Sequence, residues 1–142
     1  MRLIVLPALL AAALVAASAE HAKADALADG VAAIPGEVEE VRFAGSWSEG
    51  DEGGLYRVVL ARSGSPVAAR LFVQWIAVGS EGPKVVRSVE IEEFAALRTD
   101  VVDFFAEADA DGLAVHIESL NGDAYELFVT GPDGYRFGRA SN

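Results

Sequence analysis

The chain has 142 residues, no cysteine, and 22 acidic residues against 11 basic ones. The missing cysteine excludes disulfides and a lipid anchor built on an N-terminal cysteine, so stability must come from burial alone. The acidic balance opposes nucleic acid and anionic lipid as partners, because both carry the same sign of charge.

The first nineteen residues read MRLIVLPALLAAALVAASA. One positive charge, Arg2, precedes an apolar run that closes on Ala17 and Ala19, an A-x-A spacing. This is the form of a secretory signal peptide. The run is shorter than the roughly 20 residues that span a bilayer, and Pro7 interrupts it. Cleavage is expected after Ala19, with Ala24 as the second choice, and no membrane insertion is expected afterwards. Loss of Arg2 would leave ten basic residues against 22 acidic ones, a charge of −12. Arginine outnumbers lysine and alanine is abundant, which points to a GC-rich bacterial genome and so to a periplasmic or extracellular protein. The acids are dispersed along the chain, a pattern that serves solubility.

Residues 20–37 form an alanine-rich lead-in, read as a flexible segment or a short helix that Pro35-Gly36 ends. Residues 38–142 read as one domain. Turn signals recur there between β-rich runs, the rhythm of an all-β sandwich or barrel. The runs are Val41 to Trp47, Gly54 to Arg62, Val67 to Val78, Val85 to Phe94, Val101 to Ala108, Leu113 to Ser119, Tyr125 to Thr130 and Tyr135 to Gly138. In the third run, Leu71, Val73 and Trp75 share one face and Phe72, Gln74 and Ile76 the other. Both faces are largely apolar, which marks a central strand. The expectation is an antiparallel meander of seven or eight strands, closable into a small barrel.

AEADADGLAVHIE (Ala106 to Glu118) admits two readings. With Gly112 at the glycine position of a calcium loop, Glu107, Asp109, Asp111 and Glu118 fall on ligand positions, and these four are the candidate metal ligands. The second half of such a loop fails. Ala114 stands where a large aliphatic residue belongs, and Leu113, Val115 and Ile117 repeat every second residue. The exit helix is missing too, because Asn121-Gly122-Asp123 breaks the chain.

The alternative is a hairpin with Asp111-Gly112 as its two-residue loop. It sets Ala108 opposite Val115 and Ala106 opposite Ile117. Phe104, Ala106, Ala108, Leu113, Val115 and Ile117 then share one face, while Asp103, Glu107, Asp109, His116 and Glu118 share the other. Only Phe105 spoils the separation. A one-residue slip would scramble both faces, so turn chemistry and hydrophobicity choose the same pairing. A three-residue loop at Asn121-Gly122-Asp123 would likewise set Ile117 against Leu127 and Val115 against Val129. A helix over 92–108 is the remaining alternative.

Little in the chain points to catalysis. There is no G-x-S-x-G and no phosphate-binding glycine loop, and no cofactor is expected. His21 lies in the lead-in. His116 is expected opposite Glu107 with Glu118 nearby. That arrangement suits an ordinary cross-strand pair, and as a second use a His–Glu acid–base pair or a metal site.

Gly45-Ser46-Trp47 at the end of the first strand resembles the opening strand of the calycin group, the lipocalins and the small periplasmic metalloprotease inhibitors of bacteria. The resemblance covers these three residues and the strand count. It implies a small barrel in which Trp47 packs at the closed end under an arginine from the last strand, Arg136 or Arg139. The chain is short for a lipocalin and lacks the disulfide of the bacterial inhibitors. The expected function is a secreted, non-enzymatic binding or interaction module for a protein or small ligand. The alternative is a calycin-type inhibitor, with the lead-in entering a protease cleft, or a small-ligand carrier. A hydrolase-like enzyme using His116 stands third.

Overall fold

The computed structural model describes residues 26–109, 112–131 and 134–141; of Asp109 it describes the backbone alone. The signal peptide, its cleavage sites and His21 lie outside these residues. The chain divides at Pro35 into two units. In the first, residues 26–32 are helical (α1), so the helix ends three residues before Pro35. Leu27, Val31 and Ile34 are exposed there.

The described residues of the second unit form eight strands and one helical turn. In order they are β1 (Val38–Glu49), β2 (Glu52–Ser63), β3 (Ala68–Gly79), β4 (Gly82–Glu90), α2 (Glu92–Ala96), β5 (Val101–Asp109), β6 (Gly112–Ser119), β7 (Ala124–Val129) and β8 (Tyr135–Arg139). They form two four-stranded antiparallel meanders, β1-β2-β3-β4 and β5-β6-β7-β8. The expected all-β fold is present, with β3 in the interior of its sheet. The closed barrel is not: hydrogen-bonded pairing stops at the edges of each sheet. One apolar core draws on both sheets, with Tyr56, Val58, Leu71, Val73 and Trp75 from the first and Phe104, Leu113, Val115, Ile117 and Leu127 from the second. That is the layered arrangement of a sandwich.

Bulges bring the sheets together on one side. In β1 the pairing with β2 skips Gly45, so Ala44 and Trp47, three residues apart, both turn inward. In β5 the pairing with β6 skips Val102, and Val101 and Phe104 do the same. A bulge bends its strand and strengthens its twist, which suits two strands at a seam. A Cβ built on Gly45 would lie 2.0 Å from the Ala108 Cβ. The Arg42 guanidinium lies 4.8 Å above the Phe104 ring and 3.9 Å from Asp103. These contacts advance together along β1 and β5, so the two strands run in the same direction without sharing a ladder.

The run Val85 to Phe94 does not continue as a strand. It stops at Glu90 and turns into α2, which places Ile91 and Phe94, both fully buried, on the core. Phe94 meets Tyr125 and Phe137 edge-on at 6.5 and 6.0 Å. Tyr135 donates its hydroxyl hydrogen to Glu93 at 2.7 Å, and that bond, helped by partial burial, pushes the phenol up to about 12. The helix expected as the alternative over 92–108 is thus confined to its first turn. Within the core, the Trp47 and Trp75 indole nitrogens have no acceptor among the described residues.

At the other end Arg62 ties the sheets. Its Nε donates to Asp100 Oδ1 at 2.6 Å, its Nη2 to the Val101 carbonyl at 3.0 Å, and it also pairs with Glu39. The arginine holds the Asp100 carboxyl below its ordinary value, aided by the Val101 amide. A depressed carboxyl contributes stability above its unfolded pKa and loses it as pH falls through the folded value. The melting temperature should therefore drop between about pH 5 and pH 3. Asp100→Asn should lower it at neutral pH and flatten that slope. Parallel curves for wild type and variant in a calorimetric pH series would refute the assignment.

Both hairpins keep their predicted faces and shift their predicted turns. Ala108 pairs with Leu113, Ala106 with Val115 and Phe104 with Ile117, and Gly112, expected in the turn, belongs to β6 and pairs with Asp109. Packing decides this. Gly112 has φ +137, and a Cβ there would lie 2.2 Å from the Val129 carbonyl oxygen, so the glycine is needed for close approach to β7. Likewise Ile117 pairs with Tyr125 and Val115 with Leu127. Gly122, at φ +83, closes a loop that Ser119 and Asp123 bracket. The buried Ser119 hydroxyl donates to the Asp123 carbonyl at 2.7 Å and also meets Asn121, which fixes the loop one residue earlier than expected.

Candidate functional site

Alternation gives the first sheet two faces. Residues such as Tyr56, Val58 and Leu60 enter the core, and their neighbours Leu55, Arg57 and Val59 face outward. Strand pairing assembles the outward residues into three rows. The first is Val41, Val59, Phe72 and Glu90; the second Phe43, Arg57, Gln74 and Ser88; the third Ser46, Leu55, Ile76 and Val85. Rows two residues apart along a strand lie about 6.8 Å from one another.

The outer rows are mainly apolar, and the middle row is polar apart from Phe43. Val41, Phe43, Leu55 and Val85 are exposed. Ile76, paired with Leu55 and Val85, is 4% exposed but does not belong to the core shared by the two sheets. The middle row is joined from end to end. The Arg57 guanidinium lies 5.9 Å from the Phe43 ring, its Nε donates to Gln74 Oε1 at 2.7 Å, and Gln74 Nε2 donates to Ser88 Oγ at 3.1 Å. No carboxylate of the described residues pairs with Arg57. Its neighbour Arg70 differs, for it grips Glu90 with two bonds of 2.7 and 2.5 Å and covers the Phe72 ring at 5.2 Å. That grip holds the Glu90 carboxyl below its ordinary value and raises the guanidinium's.

The residues singled out from sequence lie elsewhere. His116 is on the outer face of the second sheet, opposite Phe105 and Glu126, not opposite Glu107. Its two ring nitrogens lie 3.5 Å from Glu107 and from Glu126. Asp103 and Glu118 are close by, around an open depression of about 370 Å³. The group is a ladder of half-buried and exposed side chains on neighbouring strands, and among the described residues no nucleophile converges on it.

The hairpin holds two of the four candidate calcium ligands apart. Glu107 pairs with Ala114, while Glu118 lies at the far end of the ladder beside Asp103. Four strand positions separate those two sites, about 13 Å, whereas calcium ligands converge on one ion at 2.3–2.6 Å. The Asp109 side chain and Asp111 are outside the described residues, and the described acids form no metal-holding group.

Trp47 is buried in β1, but the two sheets are open, so the closed barrel end that the resemblance implies for it is not present. The expected arginines are placed otherwise: Arg136 lies over the Phe128 ring at 5.3 Å, and Arg139 pairs with Asp123 at 3.1 Å. A guanidinium does cover a tryptophan, but it is Arg87 over Trp75 at 5.2 Å.

Sequence reasoning missed the outer face as a site. Its signal was the apolar residues Phe72 and Ile76 on both sides of Gln74, which were read as burial within the sheet. Comparison with protein-family models, curated proteins and solved structures found no match.

Proposed function

We propose that the chain is an exported, non-enzymatic binding module whose working surface is the outer face of the β1–β4 sheet. One observation carries this reading. Val41, Phe43, Leu55 and Val85 stay exposed beside a core that is complete without them. Exposed apolar surface arranged contiguously marks a site of interaction more often than chance placement does. The export half rests on the signal-like leader alone. A carrier in the lipocalin manner needs an enclosed apolar cavity, and here the space between the sheets is occupied by Tyr56, Trp75, Phe94 and Phe104.

The reading is tested by selecting ligands from a random-peptide library and a glycan panel, then mapping them by amide chemical shifts. Ligands are expected to shift amides around Phe43, Arg57 and Gln74. Phe43→Ser should weaken them at least about tenfold with little change in melting temperature, because an exposed side chain contributes little to folding. Ligands that map to the His116 face, or no ligand at all, would overturn the proposal.

A further inference from the structure

We infer that the occupant of this face is an amphipathic helix of a partner protein, carrying a carboxylate within its apolar stripe. The inference rests on the binding-face reading above and adds the chemistry of the partner.

Charge selects the carboxylate. Acidic residues outnumber basic ones two to one in this chain, 22 to 11. Arg42, Arg62, Arg70 and Arg139 each pair with an acid. Arg57, in the middle row of the apolar face, is held only by a ring and an amide oxygen among the described residues. Its Nε is committed to Gln74, which fixes the guanidinium plane. A planar, pre-oriented guanidinium between apolar rows is a receptor for a carboxylate, and excluding water around it strengthens the pair. Gln74 and Ser88 continue the row with groups that accept or donate.

Geometry selects the helix. An extended segment laid on the middle of a sheet finds no ladder for its amides, because the strands beneath are already paired on both sides. A helix satisfies its own backbone and is the common cover for an apolar sheet face. Along β2, Leu55, Arg57 and Val59 follow one another every second residue, about 6.8 Å apart. Residues i and i+4 of a helix rise about 6 Å. A helix aligned with β2 therefore sets an apolar residue over Leu55, an acid over Arg57 and an apolar residue over Val59. An acidic sugar polymer would also offer carboxylates, but the outer rows are chiefly aliphatic, and sugar faces favour aromatic platforms. Phe43 is the one ring of this face that is more than half exposed.

The test uses the intact chain and three synthetic helical peptides. They share an apolar stripe and differ at its centre: Glu, Gln or Lys. Binding is measured by fluorescence anisotropy and mapped by amide shifts. The Glu peptide should bind about tenfold tighter than the Gln peptide, and the Lys peptide weakest. Arg57→Gln should abolish the Glu-over-Gln preference while the shared apolar affinity persists. Its melting temperature serves as the control for folding. Equal binding of Glu and Gln peptides, or a preference that survives Arg57→Gln, would overturn the inference and leave the binding face intact. So would shifts at this face with oligogalacturonate and none with any helix. If neither class of probe moves these amides, the binding face falls as well.

Discussion

Gly45→Ala is expected to destabilise the β domain by about 3 kcal/mol or more, through two additive causes. Gly45 has φ +60, a left-handed backbone that costs an L-residue roughly 1–2 kcal/mol. The new methyl group would also lie 2.0 Å from the Ala108 Cβ and 3.4 Å from its Cα, at the seam where β1 meets β5. Overpacking of that kind costs typically about 1–3 kcal/mol. Gly50 separates the two causes. Its φ is +57, almost the same, but nothing lies within 4 Å of a Cβ built there. Gly50→Ala should therefore show only the backbone cost, about 1–2 kcal/mol. Ala108→Gly removes the other half of the collision, so in a double-mutant cycle it should recover part of the loss caused by Gly45→Ala. Urea denaturation of the four variants measures this. If the two seam substitutions are simply additive, β1 and β5 do not approach as closely as described.

Much of the fold was legible because it depends on the side-chain alternation of neighbours. Eight runs became eight strands, and Leu71, Val73 and Trp75 entered the core together. Alternation fails where the backbone inserts a residue. Nothing local says that Gly45 or Val102 is skipped by its partner strand, so the inward pairs Ala44/Trp47 and Val101/Phe104 break the period. The turn α2 was hidden for a related reason. Val89, Ile91 and Glu93 continue a two-residue rhythm, while Ile91 and Phe94 at a spacing of three carried the contrary signal. The first hairpin turn moved because Gly112 was read as a turn residue, when the carbonyl of Val129, at the far end of the next strand, demands it. The outer face was illegible in a deeper sense. Phe72 and Ile76 announce apolar surface, but whether another layer covers it depends on elements far along the chain. Sequence pattern reports what a face is made of. It does not report what lies against it.

Phe104 and Phe105 give the sharpest test of the face assignment, since they are adjacent and identical in chemistry. Phe104 is 1% exposed, sits opposite Ile117 and lies under the Arg42 guanidinium, whereas Phe105 is 52% exposed opposite His116. Phe104→Ala removes a buried ring from the core and leaves a cavity between the sheets, at a cost of about 3–5 kcal/mol. It also strips Arg42 of its ring, leaving that guanidinium to Glu40 and Asp103. A domain with a typical margin of about 5–15 kcal/mol would lose a large share of its stability. Phe105→Ala removes the same atoms from the surface and should stay within about 0.5 kcal/mol. The ranking follows from one strand register, because sliding β5 by a single residue would exchange the two phenylalanines. Chemical denaturation of both variants decides it. Equal losses, or a larger loss at Phe105, would mean that β5 presents its other face to the core and that Arg42 covers a different ring.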